Sequence, residues 1–244
     1  MRIAFLSDIH GNAIALEAVI EDINRKNVDN IIVLGDIAYR GPEPKRSIEL
    51  VRGLGTDVVK GNADEWVVRG IDKGEVPDHA HELMNEERDW TAAQLTQEDI
   101  NYLANLPSVK QFEVEGVTFH AFHATPDSLF EVVPPSAEDD TLALKLMKAT
   151  AADVYLYGHI HQSYIRTING KTVINLGSVG LPFDGVTKAS YAIVEADNGA
   201  VSMSIEKVAY DREKTIAKYH EVDYPNTDMM EKIIRTASSV QPPS

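Results

Sequence analysis

The chain has 244 residues, 43% hydrophobic and 25% charged, with 23 Lys+Arg against 38 Asp+Glu for a formal charge of −15, and no cysteine. That length suffices for one well-buried core with a small elaboration. So acidic a balance argues against non-specific binding to nucleic acid or an anionic membrane, which draw on basic patches, and the missing thiols exclude disulfides, thiolate metal sites and Cys nucleophiles. A small phosphorylated substrate stays compatible, because bound cations reverse the local field. No signal peptide is visible, since Asp8 interrupts the N-terminal apolar run, and no segment is long enough to span a bilayer. The expected setting is the cytoplasm.

The first apolar run, residues 3–6, suits a strand buried on both faces, and Ser7-Asp8-Ile9-His10-Gly11-Asn12 closes it. Residues two apart on an extended backbone point the same way. Asp8 and His10 are therefore expected to project together from the carboxyl end of the strand, where open α/β sheets place their ligands. Alone, Asp8-x-His10 reads better as a capping Asp beside a surface His; the fragments downstream change that. Leu16, Val19, Ile20 and Ile23 predict a helix ending before Asn27, and residues 31–34 a second buried strand closed by Gly35-Asp36. Gly41-Pro42-Glu43-Pro44 opens a helix carrying Ile48, Val51 and Leu54. A third short strand, 58–60, is closed by Gly61-Asn62-Ala63-Asp64, and the strand–helix–strand rhythm predicts parallel crossovers.

Residues 64–107 read as mostly helical and are taken as a cap near the strand ends, with Thr96 and Asp99 as a capping box. Trp66, Trp90 and Tyr102 read as core rather than as a substrate platform. Residues 109–114 and 117–121 predict a hairpin turning at Glu115-Gly116, with His123 at its exit. A helix with Leu142, Leu146 and Met147 follows, then a strand at 154–157 running into Gly158-His159-Ile160-His161. Hairpins are expected around Asn169-Gly170 and Asn198-Gly199, then two helices and a loose Pro/Ser-rich end from Ser238. No internal repeat or domain boundary stands out.

The strand exits offer Asp8, His10, Asp36, Asn62, His123, His159 and His161. Two carboxylates, one amide and four imidazoles are too many donors for one metal and suit two that share a carboxylate. Asp8-x-His10, Gly35-Asp36, Gly61-Asn62-x-Asp64, His123 and Gly158-His159-x-His161 resemble, in order and spacing, the signature of calcineurin-like metallophosphoesterases. The resemblance runs from Arg2 to about Glu195 and is closest to the small bacterial and archaeal phosphodiesterase branch, which the segments at 41–44 and 177–180 also resemble.

The resemblance implies a four-layered α/β/β/α sandwich with two mixed sheets, in a single domain over 1–244 with a helical cap at about 64–107. It implies a first metal on Asp8, His10 and His161, a second on Asn62, His123 and His159, and Asp36 as the bridge. Manganese or iron is the expected pair of divalent transition metals, with zinc, cobalt or nickel admitted by the donor set. The chain departs from the pattern at Ala63, where many relatives carry a His that protonates the leaving group. Ala124 and Leu176, where Gly and Pro are usual, read as tolerated loop variation. Arg40 is a candidate contact for a phosphate or base at the mouth of the site, and Ser178 with its neighbouring glycines a candidate anion contact. His120 reads as structural, while His79, His81 and His220 fit no ligand motif. The expected function is a phosphodiesterase or phosphoanhydride hydrolase for a small nucleotide. The alternatives are a phosphomonoesterase or protein phosphatase, or a non-catalytic metal-binding scaffold such as the retromer subunit of this fold.

Overall fold

The computed structural model describes residues 1–239; the expected loose tail lies, from residue 240 on, outside the described residues. Side-chain alternation along the strands builds the layers. In β1 (Arg2–Leu6), Ile3 and Phe5 enter one buried cluster while Ala4 and Leu6 enter another on the opposite face. A strand covered on both sides needs this double apolar pattern. It leads to α1 (Ala13–Arg25), whose first turn is capped by the Asn12 side chain accepting from the Ala15 N–H. Next come β2 (Asn30–Val33), α2 (Pro44–Gly53) and β3 (Asp57–Val58). Pro44 sits at the start of α2, where the missing N–H has no helical partner to lose. β3 stops at Val58, short of the expected end at 60: the Val59 N–H still donates to the Val33 carbonyl, but the Lys60 N–H turns away to the Pro107 carbonyl.

Three helices then leave the sheet: α3 (Asn62–Arg69), α4 (Asp78–Ala93) and α5 (Gln97–Ala104). The Thr96–Asp99 capping box opens α5, each residue's side chain taking the other's N–H. The chain continues through β4 (Val109–Val114), β5 (Val117–Phe122) and α6 (Asp139–Leu142), which widens into a π-helical turn, Ala143–Met147. It closes with β6 (Val154–Tyr157), β7 (Tyr164–Ile168), β8 (Lys171–Asn175), β9 (Ala189–Asp197), β10 (Ala200–Val208), α7 (Arg212–Glu221) and α8 (Thr227–Thr236). The last hairpin, expected around Asn198-Gly199, has nine residues in each strand. Ala189, Ser190 and Ala196 carry little strand propensity, yet are buried and paired with β10.

The strands form two mixed sheets, ordered β10-β9-β1-β2-β3 and β4-β5-β6-β8-β7. β1, β2 and β3 are parallel, as are β5, β6 and β8, with antiparallel partners at the other positions. Between the sheets lie Ile3, Phe5, Ile32 and Leu34 from the first and Phe119, Leu156 and Ile174 from the second. Phe5 and Phe119 stack there with centroids 6.1 Å apart; truncating such a buried ring costs about 3–5 kcal/mol. Helices α1 and α2 cover the outer face of the first sheet, and Leu142 and Leu146 cover Phe122, Tyr155 and Tyr157 on the second. This is the four-layered α/β/β/α sandwich expected from the sequence. The carboxyl ends of β1, β2, β3, β5 and β6 all reach one rim, where the site lies. Among the described residues no helix is long and apolar enough to cross a membrane.

Candidate metal centre

The loops leaving these strands do not continue the extended backbone. Asp8 and His10 have φ of 56° and 47°, Asp36 55°, His159 66° and His161 56°. This corrects the expectation that Asp8 and His10, or His159 and His161, project together by strand alternation: β1 ends at Leu6 and β6 at Tyr157. They converge because each lies in left-handed backbone, a conformation costing roughly 1–3 kcal/mol per residue that persists only where its surroundings hold it. The surroundings are visible. Asp8 N–H donates to the Gly35 carbonyl (3.1 Å), His10 N–H to that of Asp36 (2.8 Å) and Gly11 N–H to that of Ile37 (2.8 Å). The buried Asp64 carboxylate accepts from the N–H groups of Asp36 (2.8 Å), Ile37 (2.9 Å) and Gly61 (2.8 Å), tying the second loop to the third. Two glycines permit the approach. A Cβ on Gly61 would lie 2.1 Å from Asp36 Oδ1, and one on Gly158 would lie 2.4 Å from Asp8 Oδ2.

Two groups of donors result. Asp8 Oδ1 lies 3.1 Å from His161 Nε2 and 3.8 Å from His10 Nε2, and the two imidazole Nε2 atoms are 3.1 Å apart. In the other group, Asn62 Oδ1 lies 2.9 Å from His123 Nε2 and 2.8 Å from His159 Nδ1. Asp36 Oδ2 stands between them, 3.6 Å from His10 Nε2 and 3.4 Å from His123 Nε2. A cation with ligands at about 2.1 Å places neighbouring donors roughly 3.0–3.4 Å apart. The spacing fits.

The tautomers make the fit specific. Nδ1 of His10 faces the Tyr39 carbonyl (2.9 Å), that of His123 the Leu34 carbonyl (2.6 Å) and that of His161 the Leu181 carbonyl. A carbonyl only accepts, so in each neutral ring the proton sits on Nδ1 and Nε2 presents a lone pair. His10 and His161 then face each other lone pair to lone pair, and His123 faces the Asn62 oxygen the same way. Between His10 and His161 only a cation or an added proton reconciles the contact; at Asn62 a cation, a proton or the amide turned over does. His159 differs: its Nδ1 faces Asn62, and its buried Nε2 has no hydrogen-bond partner among the described residues. With protons alone the charges are uneven. Burial works against a charged His123, but the Asp36 carboxylate overrides it and pushes the imidazole up to about 10. Burial and the neighbouring His123 push His159 down to about 4. The residues present fit a pair of divalent cations sharing Asp36.

Above this floor opens a cleft of about 170 Å³, walled by Tyr39, Arg40, Trp66, Met84, Leu181 and Phe183, with Ala63 also on its lining. The volume is below the roughly 300–1,000 Å³ of pockets that enclose a drug-sized ligand. It has room for a phosphate group, with the rest of a nucleotide extending outward. Phe183 stacks on the His161 ring, centroids 4.3 Å apart. Trp66 packs among Tyr39 and Phe130 and still lines the cleft, so it is both core and wall. Trp90 packs on Tyr224, away from the cleft.

Arg40 does reach the cleft, with its guanidinium paired to the buried Glu87 of α4. Ser178 does not. Its hydroxyl donates to the Asp8 carbonyl (2.7 Å) and accepts from Leu181 N–H (2.8 Å), while the Val179 and Gly180 N–H groups donate to Ser7 and Asp8. With these groups spent on the β1 exit, Ser178 supports the Asp8 loop instead of contacting an anion. His120 is buried against the Phe122 and Tyr155 rings, outside both donor groups. His79 and His220 are exposed, and His81 bonds the Ile71 carbonyl. Tyr39, Glu87 and Phe183 were missed from the sequence. Their roles depend on contacts across α3, α4 and the far loop, which no local spacing signals.

Residues 1–199 match the calcineurin-like phosphoesterase superfamily domain. An uncharacterized protein of Methanocaldococcus jannaschii is 31% identical over 233 residues, covering 88% of this chain and 90% of its own. A symmetrical bis(5'-nucleosyl)-tetraphosphatase of Colwellia psychrerythraea is 32% identical over 123 residues, 46% of this chain and 43% of that protein. A solved metallophosphoesterase from Sphaerobacter thermophilus superposes with a TM-score of 0.78 at 28% identity, over 97% of this chain and 99% of its own.

Proposed function

We propose a specific reaction from one premise: the chain belongs to the calcineurin-like phosphoesterase superfamily and is a hydrolase of phosphoester bonds. The reaction is hydrolysis of a phosphodiester or phosphoanhydride in a small nucleotide, such as a dinucleoside polyphosphate or a cyclic or linear diester. The observation that carries it is the pair of donor groups sharing Asp36 beneath a small cleft with apolar walls. Asp8, His10 and His161 would hold one divalent cation and Asn62, His123 and His159 the other, with manganese or iron the first choice for this donor set. When bound, such a pair supplies Lewis acidity and water of lowered pKa.

The chain's own groups do the rest. The carbonyls of Tyr39, Leu34 and Leu181 fix three imidazole rings so that Nε2 faces the centre. Arg40 offers a cation to the phosphoryl oxygens. Trp66, Met84 and Phe183 give the leaving group an apolar wall suited to a nucleobase or another planar ring. The tetraphosphatase among the relatives supports the nucleotide reading. Against a phosphomonoesterase or protein phosphatase stands Ala63, where a proton donor would serve alkyl leaving groups.

A screen of the Mn²⁺-loaded protein over bis-esters, monoesters and dinucleoside polyphosphates tests the assignment. Turnover of diesters and polyphosphates above monoesters supports it, and the reverse order rejects it. The cap is expected to select substrate size, since Trp66 of α3 and Met84 of α4 both line the cleft. Shortening residues 74–81, the end of the α3–α4 connection and the first turn of α4, should change the ratio of dinucleoside polyphosphate to small model diester turnover by about tenfold, the scale of losing one apolar contact region. Equal responses from both substrates would make the segment structural only.

A further inference from the structure

Arg40 is the one Lys or Arg among the described residues lining the cleft, and it is held from two directions. Its backbone lies at φ 71°, and its carbonyl accepts from the Tyr219 hydroxyl of α7 at 2.7 Å. Its guanidinium presents Nε and Nη2 to a single oxygen, Glu87 Oε2, each at 3.2 Å. Glu87 is fully buried on α4, and its other oxygen accepts from Asn226 Nδ2 (3.1 Å) and the Tyr224 hydroxyl (3.4 Å) between α7 and α8. A buried carboxylate is costly unless donors surround it. Here four donors from three residues do so. Nη1 is left without a protein partner among the described residues, on a side chain that lines the cleft.

The arrangement does more than join helix to loop. A buried ion pair contributes little net stability relative to an apolar pair of the same shape, so fastening α4 to the loop does not by itself call for charges. An arginine fork held along one edge has its other edge pre-aimed, which suits bidentate recognition of a phosphate. The residues that complete the clamp, Tyr219, Tyr224 and Asn226, lie beyond the 1–199 segment that matches the family.

We propose that Glu87 is a positioning residue: it holds the Arg40 guanidinium with its free edge toward a non-bridging phosphoryl oxygen, so that the cap and the C-terminal helices together set phosphate affinity. The proposal rests on the reading of the cleft as a phosphoester site.

The probes are inorganic phosphate, its Kd measured by calorimetry on Mn²⁺-loaded protein, and bis(p-nitrophenyl) phosphate as substrate. Arg40→Ala and Glu87→Gln should each weaken phosphate about tenfold, the low end for a charge-assisted hydrogen bond. Each should raise KM for the diester more than it lowers kcat. In the Arg40→Ala background, Glu87→Gln should add less than about twofold, because the two act as one unit. Should Glu87→Gln not fold, the pair Tyr224→Phe and Asn226→Ala loosens Glu87 from its other side and is expected to weaken phosphate about threefold, as partial loss of the same contact. Effects that multiply, or a phosphate Kd unmoved by Glu87→Gln while Arg40→Ala weakens it, would overturn the positioning role and leave the cleft assignment intact. A Kd unmoved by Arg40→Ala would overturn the Arg40 contact as well. Wild-type protein that binds no phosphate would remove the phosphoester reading itself.

Discussion

Replacing Asp36 with Asn is expected to lower phosphodiester turnover by roughly 10³-fold or more, because it removes a charge that both donor groups share. Asp36 Oδ2 lies 3.6 Å from His10 Nε2 and 3.4 Å from His123 Nε2, nearer to the second group than Asp8, whose Oδ1 is 4.0 Å from His123 Nε2. Charge stabilisation by bound cations is worth several kcal/mol in the transition state, and each 1.36 kcal/mol is tenfold in rate. The substitution should spare the fold. Asp36 Oδ1 accepts from the Ala63 N–H at 2.8 Å, and an Asn oxygen can do the same. Asp8→Asn and Asn62→Ala should lose less metal than Asp36→Asn. Measured in excess Mn²⁺, Asp36→Asn turnover within tenfold of wild type would contradict the shared role.

The second large effect concerns the leaving group. Hydrolysis breaks a P–O bond, and the departing oxygen keeps the electron pair, so a poor leaving group needs a proton as it goes. The structure narrows the donors. Ala63 is buried on the first turn of α3 and lines the cleft, with no proton to give. Asp64 cannot replace it. Both its oxygens are occupied by three backbone N–H groups. Burial and the neighbouring Asp36 push it up to about 6, yet it stands under the loops and not on the cleft lining. Tyr39 has its hydroxyl on the Met84 carbonyl, 3.0 Å away, and Arg40 stays charged.

General-acid help is typically worth about 10²–10⁴ in rate, or roughly 3–5 kcal/mol. Alkyl monoesters are therefore expected to be slow by about that factor relative to aryl diesters, and rates over a series of aryl esters should fall steeply with leaving-group pKa. Ala63→His should restore the poor leaving groups selectively and flatten that slope. A flat slope in the wild type, or an Ala63→His protein with intact metal content and unchanged selectivity, would show that position 63 does not decide the chemistry.

Much of this was readable in the sequence because the chemistry sits beside strong local signals. Each donor follows an apolar run and adjoins a glycine or turn, and the glycines are needed: a Cβ at Gly61 would overlap the Asp36 carboxylate. Asn169-Gly170 and Thr96–Asp99 likewise carry their own geometry. What failed were inferences that needed tertiary context. Asp8 and His10 converge through left-handed backbone locked by Gly35 and Asp36, which no periodicity reveals. The end of β3 was misplaced because a contact with Pro107 sets it. Glu87 lies between Glu86 and Arg88 in a helix rich in charged side chains, where an exposed glutamate is the default expectation; its burial appears only once the α7–α8 connection closes over it. Ser178 fell on the right loop with the wrong role, since burial spends its hydroxyl on the main chain.

Seven side chains forming one centre for two divalent cations is a reading tested by the metal content of the purified protein after Mn²⁺ loading and removal of free metal. Two ions per chain are expected for the wild type, about one for Asp8→Asn and for Asn62→Ala, and fewer than one for Asp36→Asn, with turnover lost on chelation and regained with Mn²⁺. Full turnover in metal-free protein, or an Asp36→Asn variant that keeps both ions, would contradict it.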